Sequence, residues 1–462
     1  MQDLTTGSIS KHLLSTASFM LVTMVFQTLY FLVDLFCVGY LGKEAVAGVG
    51  VAGNLTFAVL AVTQMLAVGT TTLVSHAVGR KDEPRALLVF NQSQVLAIVS
   101  GVLFLAVSMT TRIVYTQSLG ADATTAHLAA DYLLYYLPAM ALQFPMTTMA
   151  AALRGVGNFK PGMIVQTSTI IINIALAPLL IFGPFGLPRL GVAGAALATL
   201  LAVVVGTVWL STYFLGREGY LRFHAPDLSP QFALWGGMLK IGLPAGAEFL
   251  MMGVYLVLVS ALARPFGAEA QAGFVIGMRV VQALFMPVVA LGFSVAPVAG
   301  QNVGARLGDR VRTVFKDASL MGVSWMLLMA VLCEIAPAAL IGVFSNDPDV
   351  ITVGSEYLRV VALTFAFSGL IFVCSSMFQA MGNTMPSLIA SVTRIVLIAV
   401  PAITLSTSPG FRLVWIWYLS AGAVVLQLAI VLLFLRREFR VRLGSLSPAP
   451  VSAPSIAVEG GL

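Results

Sequence analysis

Five ionisable side chains lie inside long apolar stretches of this 462-residue chain: Asp34, Glu248, Arg279, Glu334 and Arg394. A charge at mid-bilayer depth costs about 2.5–3.5 kcal/mol on insertion scales, so each needs a partner, water or, for a carboxylate, a proton. Counted from the ends of the apolar runs, Glu248 matches Arg394 in depth and Arg279 matches Glu334, all in the second half. The spacing therefore predicts two ion pairs, Glu248–Arg394 and Arg279–Glu334. Asp34 is the only embedded charge of the first half, and no basic residue there matches its depth. A carboxylate without a counter-ion in a low-dielectric site can exchange a proton near neutral pH. Gln27, Tyr30 and Asp34 stand at i, i+3 and i+7, one face of a helix. A polar, titratable stripe of this kind on an otherwise apolar helix should face a cavity.

Other chemistries find little support. His12, His76, His127 and His224 are scattered, with no paired spacing of the HExxH kind, so no metal site is expected. Cys37, Cys333 and Cys374 all lie in apolar runs and are expected to pack as small apolar groups. No nucleophile–base constellation can be named, which argues against an enzyme and against an organic cofactor.

The elements that must position these residues repeat at a shift of 225. Leu41-Gly42, Glu44-Ala45 and Ala47-Gly48 return as Phe266-Gly267, Glu269-Ala270 and Ala272-Gly273. Val78-Gly79 returns as Val303-Gly304, Asp131-Tyr132-Leu133 as Glu356-Tyr357-Leu358, and Gly157-Asn158 with Pro161 as Gly382-Asn383 with Pro386. Hydrophobic residues make up 59% and charged ones 10%, against roughly 25% charged in soluble domains, which makes this an integral membrane protein. Twelve apolar runs are visible, at 13–41, 45–78, 88–111, 127–152, 161–182, 191–215, 238–266, 270–303, 315–344, 356–381, 386–407 and 411–435. Each exceeds the ~20 residues that a spanning helix needs. Six spans per half give parallel repeats about an axis along the membrane normal. Pro138, Pro145, Pro178, Pro287, Pro297, Pro337 and Pro401 interrupt the runs as hinges or static kinks.

The expected organisation is an N-lobe at 1–215, a cytoplasmic linker at 216–237, a C-lobe at 238–440 and a disordered tail at 441–462, rich in Ser, Pro and Ala. No cleavable signal peptide is evident at the start. Lys and Arg number 17 in one set of loops with both termini and 6 in the other, which places both termini in the cytoplasm. The net charge of +6 is thus a topology signal, and nucleic acid is not an expected partner.

The segment FQTLYFLVDLFCVGYLG at 26–42 with AVAGVG after it, LRGVGNFKP at 153–161, FQAMGNTMP at 378–386, and the VG-plus-basic turns at 78–81 and 303–306 resemble the multidrug and toxic compound extrusion (MATE) transporters. The resemblance covers residues 10–440 and implies a two-lobed, V-shaped, all-α bundle of twelve transmembrane helices. It implies export of cationic or amphipathic organic molecules by antiport with protons or sodium, from the bacterial inner membrane and as a monomer. Within the family, Gln27, Tyr30 and Asp34 match the first-helix pattern of the DinF-type branch, and Asn173 its polar position on helix 5. Ala177 stands where that branch has a second Asp. Against the NorM-type branch, Ser368 takes the place of the helix 10 Asp, and Glu248 lies about one turn before the helix 7 Glu. One carboxylate, Asp34, is left for coupling in the N-lobe, which favours a proton over a sodium ion with its several oxygen ligands. A lipid or lipid-linked saccharide flippase is the alternative, and it would line its cavity with several Arg, for which only Arg279 and Arg394 are candidates. A channel suits the two-lobed repeat less well.

Overall fold

In lipid, every backbone N–H and C=O must be satisfied within the chain, so an apolar sequence of this kind resolves into helices. The computed structural model describes residues 3–120, 122–186, 188–216, 220–406 and 411–444, and no strand occurs among them. The first half comprises α1 (Ile9–Gly39), α2 (Lys43–Gly53), α3 (Thr56–Gly79), α4 (Glu83–Leu119), α5 (Ala123–Gly155), α6 (Phe159–Phe182) and α7 (Val192–Leu215). The second comprises α8 (Phe232–Ala263), α9 (Ala268–Gly304), α10 (Gly308–Ile335), α11 (Pro337–Gly342), α12 (Pro348–Ala362), α13 (Phe365–Ala380), α14 (Met385–Ser406) and α15 (Val414–Glu438). Helix α8 begins at Phe232, within the segment 216–237 read from sequence as the linker. Positions 217–219 and the tail from 445 lie outside the described residues.

The 225-residue shift carries over into the coordinates. The bounds of α2 with α3 recur as those of α9, and those of α5 recur as α12 with α13. Backbone turns recur too. Left-handed φ values appear at Gly42 and Gly267 (106° and 98°), at Lys81 and Arg306 (59° and 60°), and at Gly157 and Gly382 (78° and 72°). Each pair is one turn built twice.

Ten helices are individually long and apolar enough to cross a membrane, and α12 with α13, bent by 59° at their junction, makes an eleventh. The repeat mate of that pair, α5, is 33 residues long but less apolar, and is not one of these eleven. Helix α5 runs unbroken through Pro138 and Pro145, whereas Pro337 opens a new helix after α10. Caps fix several starts. Asp82 accepts the Arg85 N–H at 3.0 Å to open α4, and Asp122 accepts the Thr125 N–H at 2.7 Å to open α5. The Thr125 N–H, with the Thr125 hydroxyl, holds the Asp122 carboxyl below the usual carboxylate range. Cys37, Cys333 and Cys374 are buried free thiols.

The lobes meet along α3 with α8 and α1 with α9, and close at the basic end. There the Thr72 hydroxyl donates to the Gln379 carbonyl at 2.9 Å, and His76 Nε2 lies 2.7 Å from the Ala380 carbonyl. From the other lobe, Gln301 Nε2 donates to the Gly155 carbonyl at 2.9 Å. Both described chain ends lie here. Leu4, fully buried, donates its N–H to Gln301 Oε1 at 3.0 Å and accepts from Asn302 Nδ2 at 3.1 Å. Beside it the Thr5 hydroxyl and N–H donate to Asp3 and hold its carboxyl below the usual range. Arg442, just after α15, donates to the Met381 carbonyl.

Candidate functional site

The structure builds a polar group inside each lobe, at different depths. In the N-lobe, α1 carries Tyr30 and Asp34 one turn apart, and Thr199 of α7 joins two of the predicted residues. The Tyr30 hydroxyl lies 3.3 Å from Thr199 Oγ1, and Asn173 Nδ2 of α6 donates to that oxygen at 3.0 Å. Asn173 is buried, and Tyr132 and Tyr136 of α5 lie within electrostatic reach of Asp34. Asp34 Oδ1 is buried and accepts no hydrogen bond. An orphaned buried carboxylate oxygen is costly unless a proton, water or cation satisfies it. Ala177 is buried in the apolar cluster that also holds Cys37 and Tyr132. Gln27 is exposed on α1 and does not join the group.

In the C-lobe, Glu248 of α8 sits in a cage of hydroxyls. Ser387 donates to it at 2.9 Å, Ser375 at 3.0 Å and Ser391 at 3.3 Å. Ser375 and Ser387 also contact each other, and Gln427 Nε2 of α15 donates to Ser391 at 3.4 Å. Glu248 corresponds to position 23 under the repeat, eleven residues before Asp34, or about 16 Å along a helix axis. One scaffold thus holds two carboxylates in unlike settings, one starved of donors and one surrounded by them.

The two predicted ion pairs do not form. The described ion pairs are Lys43–Glu44, His127–Asp131, His224–Asp227, Arg312–Asp309 and Arg442–Glu438. Serines satisfy Glu248. Arg394 instead places its guanidinium carbon 5.1 Å from the centre of the Tyr255 ring, a cation–π contact, with Nε buried and unpartnered. For Arg279 and Glu334 the depth match fails, because α10 ends at Ile335 before Pro337 and leaves Glu334 at a helix terminus. Arg279 lies eleven residues into α9, about 16 Å from its start, and both side chains are exposed.

Two residues were missed from sequence. Thr199 carries no signal that separates it from any helix threonine. Arg154 reads as a loop cation, yet it forms the last turn of α5 and is only 9% exposed. It lines a small cavity of about 20 Å³, room for about one water, between the lobes, with Gln64, Thr71 and Thr72 of α3, Phe293 of α9 and Gln379 of α13. The C-terminal carbonyls of α5 offset about 0.3–1 kcal/mol of its burial, well short of the several kcal/mol an unpaired charge costs.

Comparisons with known proteins agree with this architecture. The family model MatE matches residues 20–179 and 244–404, one segment in each repeat. The probable multidrug resistance protein YoeA of Bacillus subtilis (strain 168) is 27% identical over 419 residues, covering 88% of this chain and 90% of its own. A protein of Shewanella oneidensis named FAD transporter is 27% identical over 380 residues, covering 81% and 83%. A crystal structure of MATE in the bent conformation superposes with a TM-score of 0.90 at 23% identity, over 96% of this chain and 98% of that one.

Proposed function

The chain belongs to the MatE family of membrane transporters, and on that premise we propose that it is a secondary active multidrug efflux pump. It exports cationic or amphipathic organic compounds by alternating access, driven by proton antiport. The name of YoeA, a probable multidrug resistance protein, supports drug export. The observation that carries the coupling is the orphaned Asp34 Oδ1. Protonation from outside satisfies that oxygen and removes the charge that holds a cation, so substrate leaves outward. Deprotonation towards the cytoplasm restores the charge. A ligand shifts conformations only through its differential affinity for them, and mutual exclusion at one carboxylate supplies that difference. Tyr30 and Asn173, linked through Thr199, tune the site, and Gln27 extends its face towards substrate. The lobes are read as 1–215 and 238–440, with the basic end in the cytoplasm, both termini inside, and the protein a monomer in the bacterial inner membrane.

A second reading rests on the Glu248 cage, whose carboxylate and three hydroxyls form an oxygen-rich set suited to a proton or to a hard cation such as sodium. Proteoliposomes loaded with ethidium separate the two. Asp34→Asn is expected to abolish efflux driven by an imposed pH gradient, while Glu248→Gln retains it. Wild-type rates in Asp34→Asn, with loss in Glu248→Gln or strict dependence on a sodium gradient, would move coupling to the C-lobe.

A further inference from the structure

We propose that Arg154 is an anion-recognition subsite at the floor of the inter-lobe cleft, taking the carboxylate or phosphate group of an amphipathic substrate. The inference deepens the efflux reading and rests on it for the transport role of the cleft. Arg154 is nine-tenths buried, lines the cavity between the lobes, and takes part in none of the described ion pairs. Among the described residues, no Asp or Glu lines that cavity. The neighbour recorded for the guanidinium is the Phe293 ring, 6.0 Å from its carbon, a weak partner for a desolvated charge.

The surroundings fit a planar anion. Under the repeat, Gln379 occupies the position equivalent to Arg154 and faces the same cavity from α13, so a guanidinium fork and an amide stand on opposite sides of the pseudo-axis. A guanidinium binds carboxylate or phosphate in bidentate fashion, and a primary amide adds a neutral donor. Thr71 and Thr72 commit their hydroxyl hydrogens to the carbonyls of Ala151 (3.0 Å) and Gln379 (2.9 Å). The guanidinium and the amides of Gln64 and Gln379 are then the donors left to a ligand. Phe293, Ala67, Val68 and Ala296 supply apolar wall around the charged group. The floor lies where α3, α5, α9 and α13 converge at the closed end, so an anion bound there contacts both lobes.

The test compares naphthalene-2-carboxylate with its neutral isostere naphthalene-2-carboxamide, by fluorescence titration of the full-length protein in phosphatidylcholine nanodiscs. The wild type is expected to bind the carboxylate at least about tenfold more tightly. Arg154→Gln should bring the two affinities together, and Arg154→Lys should keep part of the preference, since it retains charge without the fork. Adding phosphatidylglycerol to the discs identifies the natural source of the anion. Weakened carboxylate binding shows a lipid headgroup competing for the subsite, and unchanged binding assigns it to a soluble anion. Equal affinities in the wild type, or a preference that survives Arg154→Gln, overturns the proposal, and the wild-type comparison decides even where the variants fail to fold. Ethidium efflux by the wild type is measured separately, so pumping without carboxylate preference sinks the subsite alone.

Discussion

The closed end of the molecule rests on a mirrored pair of backbone contacts, and one methyl group should disturb it. A Cβ at Gly79 would lie 2.8 Å from the Gln301 carbonyl carbon and 2.9 Å from the Ala305 nitrogen, and closer still to the Gln301 oxygen. A Cβ at Gly304 would lie 2.9 Å from the His76 Cα and carbonyl carbon. His76 and Gln301 are themselves repeat mates, so the pair straddles the pseudo-axis. The obstructing atoms are backbone and cannot rotate away. Carbon contacts settle near 3.5–4.0 Å, so α3 and α9 must part by about 1 Å. Overpacking of this kind costs about 1–3 kcal/mol. Because the strain belongs to the closed arrangement, it should shift the population away from that arrangement by roughly 5–150-fold. Spin labels at the exposed positions Glu83 and Arg312 report the separation of the lobes at this end. Gly79→Ala and Gly304→Ala should each lengthen the distance distribution and slow efflux, with the double variant further displaced. Gly50→Ala, whose Cβ meets nothing within 4 Å, is the control and should leave the distances unchanged. An unchanged distance distribution in both single variants would refute the idea that these contacts hold the closed state.

Ser387→Ala removes a hydroxyl that donates to Glu248 at 2.9 Å, and hydrogen bonds to charged groups are worth about 1.5–3 kcal/mol, so a fall in Tm in detergent is expected, with an unchanged Tm counting against the cage. Leu4 is fully buried beneath the seam, so Leu4→Ala should cost about 2–5 kcal/mol of local stability and expose the N-terminal residues to protease; equal cleavage rates would show that the segment does not hold the seam.

The repeat made most of the architecture legible, because loops of fixed length keep their backbone turns even where side chains change. Lys81 and Arg306 share a left-handed φ although neither is glycine, and Gly157 and Gly382 share another. The Tyr30–Asp34 face was legible from helical spacing, and Asn173 from family resemblance. Depth counting failed for the ion pairs because apolar runs do not mark where helices end. The run at 315–344 crosses a break at Ala336, which moves Glu334 to a terminus. It failed again for Arg154, whose place just before the glycine turn at 157 looks like a loop until α5 is seen to continue to Gly155.

These failures share a physical reason. Symmetry of the backbone does not impose symmetry of the polar groups, since the shared fold of each lobe needs only buried apolar surface and satisfied backbone groups. Tyr30 and Tyr255 are repeat mates, each with its hydroxyl near a helix hydroxyl, Thr199 at 3.3 Å and Ser420 at 3.1 Å. Beside Tyr30 the chain placed Asp34; at the equivalent place it has Val259, and an arginine lies over the Tyr255 ring instead. A carboxylate by one tyrosine and a guanidinium by its mate give the lobes opposite charge at like depth. Under the proposed coupling, a proton or cation arriving from the open end would find its negative site in the N-lobe, with Arg394 in the C-lobe repelling it. On that reading, the asymmetry would let a rocking two-fold scaffold load its coupling ion on one side only.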